Sequence, residues 1–149
     1  MKILFVCSGN TCRSPLAEAI TRRMLADAGR DDVTVSSAGT NAWDGSPASD
    51  GALLVGMERG LDLSAHRSRQ LSEEIVRDAD LILVMAPSHL ARVRELAPKA
   101  NAHLVAGFAS GREGSPVQDP FGGDLAAYRA TFDELERELA GLLERIPAS

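Results

Sequence analysis

The sequence is poor in cysteine, in long apolar runs and in positive charge, and each shortage removes a class of protein. Its 149 residues hold two cysteines, Cys7 and Cys12. Two thiols so close together cannot frame a disulfide-stapled secreted domain, so a reducing cytoplasm is the expected compartment. They also fall short of a zinc centre, because a closed tetrahedral site takes four ligands and no Cys/His pair at ligand spacing follows. The opening Ile3-Leu4-Phe5-Val6 is too brief for a signal-peptide core of about 7–15 apolar residues. No stretch approaches the roughly 18 apolar residues of a membrane span. With 16 basic against 21 acidic side chains the formal charge is −5, so neither nucleic acid nor an anionic membrane is an expected partner. Any anionic ligand has to be held locally. No repeat, low-complexity tract or linker divides the chain, and one domain over 1–149 is long enough to bury about two thirds of its unfolded surface.

Short apolar blocks alternate with helical periodicity. Ile3-Leu4-Phe5-Val6 is continuous and apolar, as a strand buried on both faces is. Gly9 and Asn10 break it. Ser14-Pro15 then sets a capping residue before a proline suited to the first helical position, and Leu16, Ile20 and Met24 recur at helical spacing until Gly29. A second strand is expected from Asp32 to Ala38, ending near Gly39. Ser46-Pro47 opens a helix through Ala48, Ala52, Val55 and Met57 to Gly60. Leu81-Ile82-Leu83-Val84-Met85 is the strongest strand, Pro87 opens a helix through Leu90, Val93 and Leu96 that Pro98 stops, and Ala102-His103-Leu104-Val105 makes a fourth strand. Gly107 to Gly123 contains five glycines and two prolines with little periodicity, and long loops in compact domains are usually functional. Leu125, Tyr128, Phe132, Leu135, Leu139, Leu142 and Ile146 predict a final amphipathic helix whose other face, with Glu134, Glu136, Arg137, Glu138 and Glu144, is solvated. Strands alternating with helices predict an α/β fold with right-handed crossovers and a parallel sheet covered on both sides. Ligands of such sheets bind beyond the carboxyl ends of the strands, where Cys7 lies.

A cysteine that attacks phosphorus needs a lowered pKa, which a helix N-terminus and a nearby arginine supply. Cys7 has both. From Ser8 to Arg13 the backbone N–H groups can turn inward as a nest for phosphate oxygens. Gly9 permits close approach, Asn10 tolerates left-handed angles, and Arg13 offers a planar fork for two oxygens. The Cys-x5-Arg spacing is weak by itself: with Arg at 14 of 149 positions, two cysteines meet one by chance about one time in five. The strand before it, the Gly-Asn turn and the Ser-Pro helix start carry the case. Asp119-Pro120 in the glycine-rich loop is the candidate acid for a leaving group, or else a plain turn.

Val6-Cys7-Ser8-Gly9-Asn10-Thr11-Cys12-Arg13-Ser14-Pro15 together with Asp119-Pro120-Phe121 resembles the low-molecular-weight protein phosphatases, over essentially the whole chain. The resemblance implies a single three-layer domain, a four-stranded parallel sheet with helices on both faces and the phosphate-binding loop after the first strand. It implies a phosphocysteine at Cys7, a phosphoryl group held by Arg13 and by the loop residues Ser8, Gly9, Asn10, Thr11, Cys12 and Ser14, and Asp119 as acid and then base. It implies phosphorylated proteins as partners and no metal or cofactor. Asn10, Ser14, Ser37 and His66 match a hydrogen-bonded network that braces the loop, with the Ser14 hydroxyl at the thiolate. Trp43 matches an aromatic wall beside the pocket, against plain core packing, and Phe121 belongs to the same substrate-binding set. His89 and His103 match nothing and are expected at the surface or at helix ends.

Thr11, and Gly122-Gly123 after Phe121 in place of a second aromatic, look like the protein-arginine-phosphatase branch; tyrosine phosphatases carry a larger aliphatic in the loop and often two aromatics. Phosphoarginine is therefore favoured over phosphotyrosine, with a neutral Thr11 as the alternative. Arsenate reduction would need a cysteine pair after Cys12, and none exists. A phosphate-binding module without turnover would not need Cys7, Arg13 and Asp119 together. Cys12 either captures an oxidised Cys7 as a disulfide or merely packs.

Overall fold

The structure, a computed structural model, describes residues 1–112 and 114–147. Its centre is β1 (Lys2–Cys7), buried from Ile3 onward. β2 (Thr34–Gly39) pairs with it on one side and β3 (Leu81–Val84) on the other, and β4 (Ala102–Leu104) lies beyond β3. All pairings are parallel, in the order β2-β1-β3-β4. The helices are α1 (Arg13–Asp27), α2 (Asp50–Glu58), α3 (Glu73–Asp78), α4 (Pro87–Leu96), the kinked turn α5 (Val105–Phe108) and α6 (Leu125–Leu139). Alternation along β1 divides the core. Ile3, Phe5 and Cys7 pack with Leu16 and Ile20 of α1, Val55 of α2 and Phe132 and Leu135 of α6. Leu4 and Val6 pack with Val76 of α3 and Val93 of α4. The result is the α/β fold expected, a four-stranded parallel sheet between two helical layers.

Four local readings of the sequence change. The helix after the first loop begins at Arg13 with Cys12 at its N-cap, and no side chain caps it among the described residues. Ser14 is thus no cap: its hydroxyl turns back to Cys7. The second helix starts at Asp50, capped by the Ser49 hydroxyl from Ala52 N–H at 3.4 Å. Ser46, expected to open that helix, instead exchanges bonds with Ser68. The six-residue α3 escapes hydrophobic periodicity because it is shorter than two turns; its signal is Ser72, which accepts from Ile75 N–H as a cap, followed by Glu73 and Glu74 in the first turn. The last helix stops at Leu139, and after Gly141 the chain continues as a 3-10 turn, Leu142–Arg145. Leu142 and Ile146 stay buried, so their apolar spacing records their burial and not a continuous helix.

Candidate active site

The end of β1 and the start of α1 are joined by a loop whose shape is held from three sides. Asn10 takes the left-handed conformation expected of it, φ 57°, and its 0% exposure places its whole amide in the protein. Its Oδ1 accepts from Arg69 N–H at 3.0 Å, which fixes the orientation of the amide, since a backbone N–H can only donate. Its Nδ2 therefore donates to Ser14 Oγ at 2.8 Å and Ser37 Oγ at 2.9 Å. Ser37 passes its own proton to Glu18 Oε1 at 2.7 Å. Ser14, already accepting from Asn10, has its proton free for Cys7 Sγ, 2.9 Å away. His66 Nε2 donates to the Asn10 carbonyl at 2.7 Å, so the ring carries its proton on Nε2. These bonds join Asn10, Ser14, Ser37 and His66 in one network, with Glu18 as a further member that sequence reading missed. Its signal was its place on α1 one turn beyond Ser14.

Cys7 Sγ also accepts from Asn10 N–H at 3.3 Å. Burial pushes the thiol up, against the downward pull of the Ser14 hydroxyl and N–H, of the Arg13 charge and of the Asn10 N–H. The expected lowering of the thiol pKa counted the helix and the arginine but omitted desolvation, which here is the largest influence. Gly39 ends β2 beside the loop. A Cβ there would lie 2.4 Å from the Ser8 carbonyl oxygen and 2.9 Å from Asn10 N, so the turn can close only against a residue without a side chain.

Arg13 is buried, and it reaches the long loop between β4 and α6 at two points: Nη1 donates to the Val117 carbonyl at 3.1 Å and Nη2 lies 3.4 Å from Asp119 Oδ2. Asp119 itself is exposed, and its Oδ1 accepts from Phe121 N–H at 3.1 Å. The loop is tied to the sheet where Val117 N–H donates to the Met85 carbonyl at 2.8 Å. Residues more than a hundred positions apart are thus brought together by one guanidinium. Trp43 and Phe121 are 83% and 76% exposed, which excludes core packing for Trp43.

The remaining loop residues divide. Ser8, Gly9 and Thr11 are half-buried. Cys12 is buried against α2 and α6, its Sγ 3.2 Å from Ser49 Oγ and 3.4 Å from Tyr128 Oη; Gly51 makes room, since a Cβ there would meet the Tyr128 ring at 2.4 Å. His103 is exposed, as expected. His89 is not: it lies in the first turn of α4, 2% exposed, with Nε2 2.9 Å from Ser8 Oγ. Burial and the Arg13 charge push its imidazole down to about 4, against an upward pull from Asp119. Of the two places expected for it, the helix end holds and the surface does not, because Pro87 starts the helix two residues earlier and position 89 turns inward. Among the described residues no three His, Cys, Asp or Glu side chains converge as a metal ion would require.

This geometry has relatives. Residues 2–149 match the family model described as low molecular weight phosphotyrosine protein phosphatase. A protein-arginine-phosphatase of Geobacillus stearothermophilus is 42% identical, with 97% of this chain and 95% of the relative covered. A probable low molecular weight protein-tyrosine-phosphatase of Ralstonia nicotianae is 37% identical, with 98% and 96% covered. Among solved structures, a cysteine-to-serine mutant of the YwlE arginine phosphatase with a phosphorylated active-site serine superposes with TM-score 0.90 at 35% identity, covering 97% of this chain and 95% of the other.

Proposed function

Because the chain belongs to the low molecular weight phosphotyrosine protein phosphatase family and is a cysteine-based phosphatase, we propose that Cys7 is its nucleophile, Arg13 its phosphoryl clamp and Asp119 its acid and base. The supporting observation is the bridge from Arg13 to Asp119, which sets a carboxyl group beside the loop that carries the thiol. The thiol enters protonated and buried. A dianionic phosphoryl group brings its own base: one phosphoryl oxygen takes the proton, and the thiolate left behind is held by the Ser14 hydroxyl and Asn10 N–H. Sγ then attacks phosphorus while the bond to the leaving group breaks and Asp119 protonates the departing atom. The nest of N–H groups from Ser8 to Arg13 and the Arg13 fork stabilise the oxygens in flight. In the second step Asp119 takes a proton from water, the water oxygen attacks phosphorus, and the S–P bond breaks to release phosphate, which gives the proton taken in the first step back to the Cys7 thiolate.

For the leaving group we favour phosphoarginine. Thr11 presents a small polar wall, Gly122-Gly123 follow Phe121 where a second ring would narrow the mouth, and the relative of 42% identity is a protein-arginine-phosphatase. Phosphotyrosine is the second reading, carried by the tyrosine-phosphatase relative and by two exposed aromatic side chains, Trp43 and Phe121. Phosphorylated proteins in the cytoplasm are the proposed substrates, since a mechanism on a free thiol suits a reducing compartment; no helix among the described residues is long and apolar enough to cross a membrane. The deciding experiment is kcat/KM on phosphoarginine and phosphotyrosine peptides of one sequence. A preference for phosphotyrosine replaces the first reading by the second.

A further inference from the structure

The hydrolysis described above makes no use of His89, although it is one of the few buried polar side chains. Its Nδ1 has no hydrogen-bond partner among the described residues. A buried polar atom without a partner is costly to keep, and the ring makes its hydrogen bond at the other end. That other end holds Ser8, the residue next to Cys7, at 2.9 Å. Ser8 follows the end of β1 and His89 lies in the first turn of α4, so the pair sits on the flank of the phosphate cradle where β3 leads into α4, where the Arg13 and Asp119 charges both act on the ring. The Asn10 network braces the loop from the β2 side, through Ser37, Arg69 and His66. Ser8–His89 is the brace from the opposite edge.

The orphaned atom also fixes which way the bond runs. A buried N–H without an acceptor is rarer and costlier than an unused lone pair, so Nδ1 carries the lone pair and Nε2 the hydrogen. Nε2 then donates to Ser8 Oγ. The serine oxygen is occupied as an acceptor, and its hydroxyl proton is left to point away from the ring. With the opposite tautomer that proton would be spent on the imidazole.

We propose that His89 is a positioning residue of this phosphatase: by donating to Ser8 Oγ it holds the first side chain after the nucleophile and turns the Ser8 hydroxyl proton toward an oxygen of the bound phosphoryl group. Ser8 thereby adds a side-chain donor to the backbone nest, and His89 acts through it without touching substrate. The proposal rests on the reading of the Cys7 loop as the phosphate site.

The test uses the full chain and two readouts: the calorimetric Kd for inorganic phosphate, which requires no turnover, and kcat/KM on an aryl phosphate. Ser8→Ala and His89→Leu should each weaken phosphate about 3- to 10-fold, the range of one directed hydrogen bond. His89→Gln, which can present an amide N–H near the position of Nε2, should recover most of that loss. His89→Leu in a Ser8→Ala background should add nothing, because the two changes remove one interaction. A normal Kd in Ser8→Ala overturns the proposal, as does a His89→Leu effect that persists undiminished without the serine hydroxyl. If His89→Leu does not fold, as judged by circular dichroism, the Ser8→Ala and His89→Gln affinities decide it. Phosphate binding without hydrolysis by the wild type would defeat the functional reading alone and leave the Ser8–His89 pair measurable.

Discussion

The two halves of the candidate site are built by opposite means. From Cys7 to Ser14 the chain is short, largely buried and over-determined: Asn10 alone has partners on Ser14, Ser37, His66 and Arg69. The stretch that carries Asp119 is long and, Val117 and Pro120 apart, mostly exposed, and its described residues are fastened at separate points, to Met85, to the Arg13 guanidinium, to Thr131 and Glu138 of α6, and through an isolated bridge between Ala106 and Ser115. A phosphate has to find its donors already aimed, because preorganised dipoles need no rearrangement as the reaction proceeds. An acid serving leaving groups on protein chains has to stay accessible. The contrast predicts that changes in the first half abolish chemistry, whereas changes in the second alter how it depends on the leaving group.

The sharpest break is Cys7→Ser, which should lower turnover on the order of 10⁴- to 10⁶-fold while inorganic phosphate still binds. Substantial residual turnover in steady-state kinetics would remove Cys7 from its role. Asp119→Asn comes next. It should cost about 10²–10⁴-fold on a poor leaving group and clearly less on a good one, and equal losses across aryl phosphates of different leaving-group pKa would contradict the assignment.

Acid probes the seam between the halves, where the charges of Arg13 and Asp119 both act on His89. Burial holds its imidazole down at about 4 in the fold, against about 6.5 in an unfolded chain. The neutral ring's contribution is complete above 6.5 and is lost as pH falls from 6.5 through 4. Relative to His89→Gln, the wild type should lose about 3 kcal/mol of stability across that window. Parallel denaturation curves for the two proteins over the same window would rule this out. Thr11→Ile tests specificity within the rigid half: it should shift the ratio of kcat/KM for phosphoarginine over phosphotyrosine by about 10- to 200-fold toward phosphotyrosine. A uniform fall would mean that Thr11 only supports the loop backbone. The smallest effect concerns recovery from mild peroxide. If Cys7 sulfenic acid condenses with the Cys12 thiol, releasing water and forming a disulfide, thiol should restore the wild type more completely than Cys12→Ser. Equal recovery would leave Cys12 as packing against Ser49 and Tyr128.

The same contrast governs what was legible beforehand. The loop from Cys7 to Ser14 could be read because its features are contiguous: strand end, left-handed Asn10 and helix start follow one another in the chain. The strands and most of the helices were legible from apolar spacing. Ser49 rather than Ser46 as the cap of α2, and Ser14 as a partner of Cys7 rather than a cap, were not. A hydroxyl suits either task, and tertiary neighbours decide between them. Glu18 and His89 escaped because an acid on a helix and a histidine in a first turn are ordinary until the fold supplies Ser37 and Ser8. The upward push on Cys7 was missed for a similar reason, since desolvation comes from the packing of α1 and α6 against β1 and leaves no mark in the local motif.

Gly39 bears on whether the octapeptide from Cys7 to Ser14 is a portable part. The curvature of Cys7 to Ser14 is moulded against the backbone of a neighbouring strand at a point where a single methyl group would collide with the Ser8 carbonyl oxygen. The eight residues therefore hold only half of their own shape, and the other half is lent by β2. Transplanted to the end of another parallel strand, the motif would arrive with its Cys7 and Arg13 but without the mould. A designer who wished to move it would have to carry the adjoining strand end along, bare of any side chain at that position.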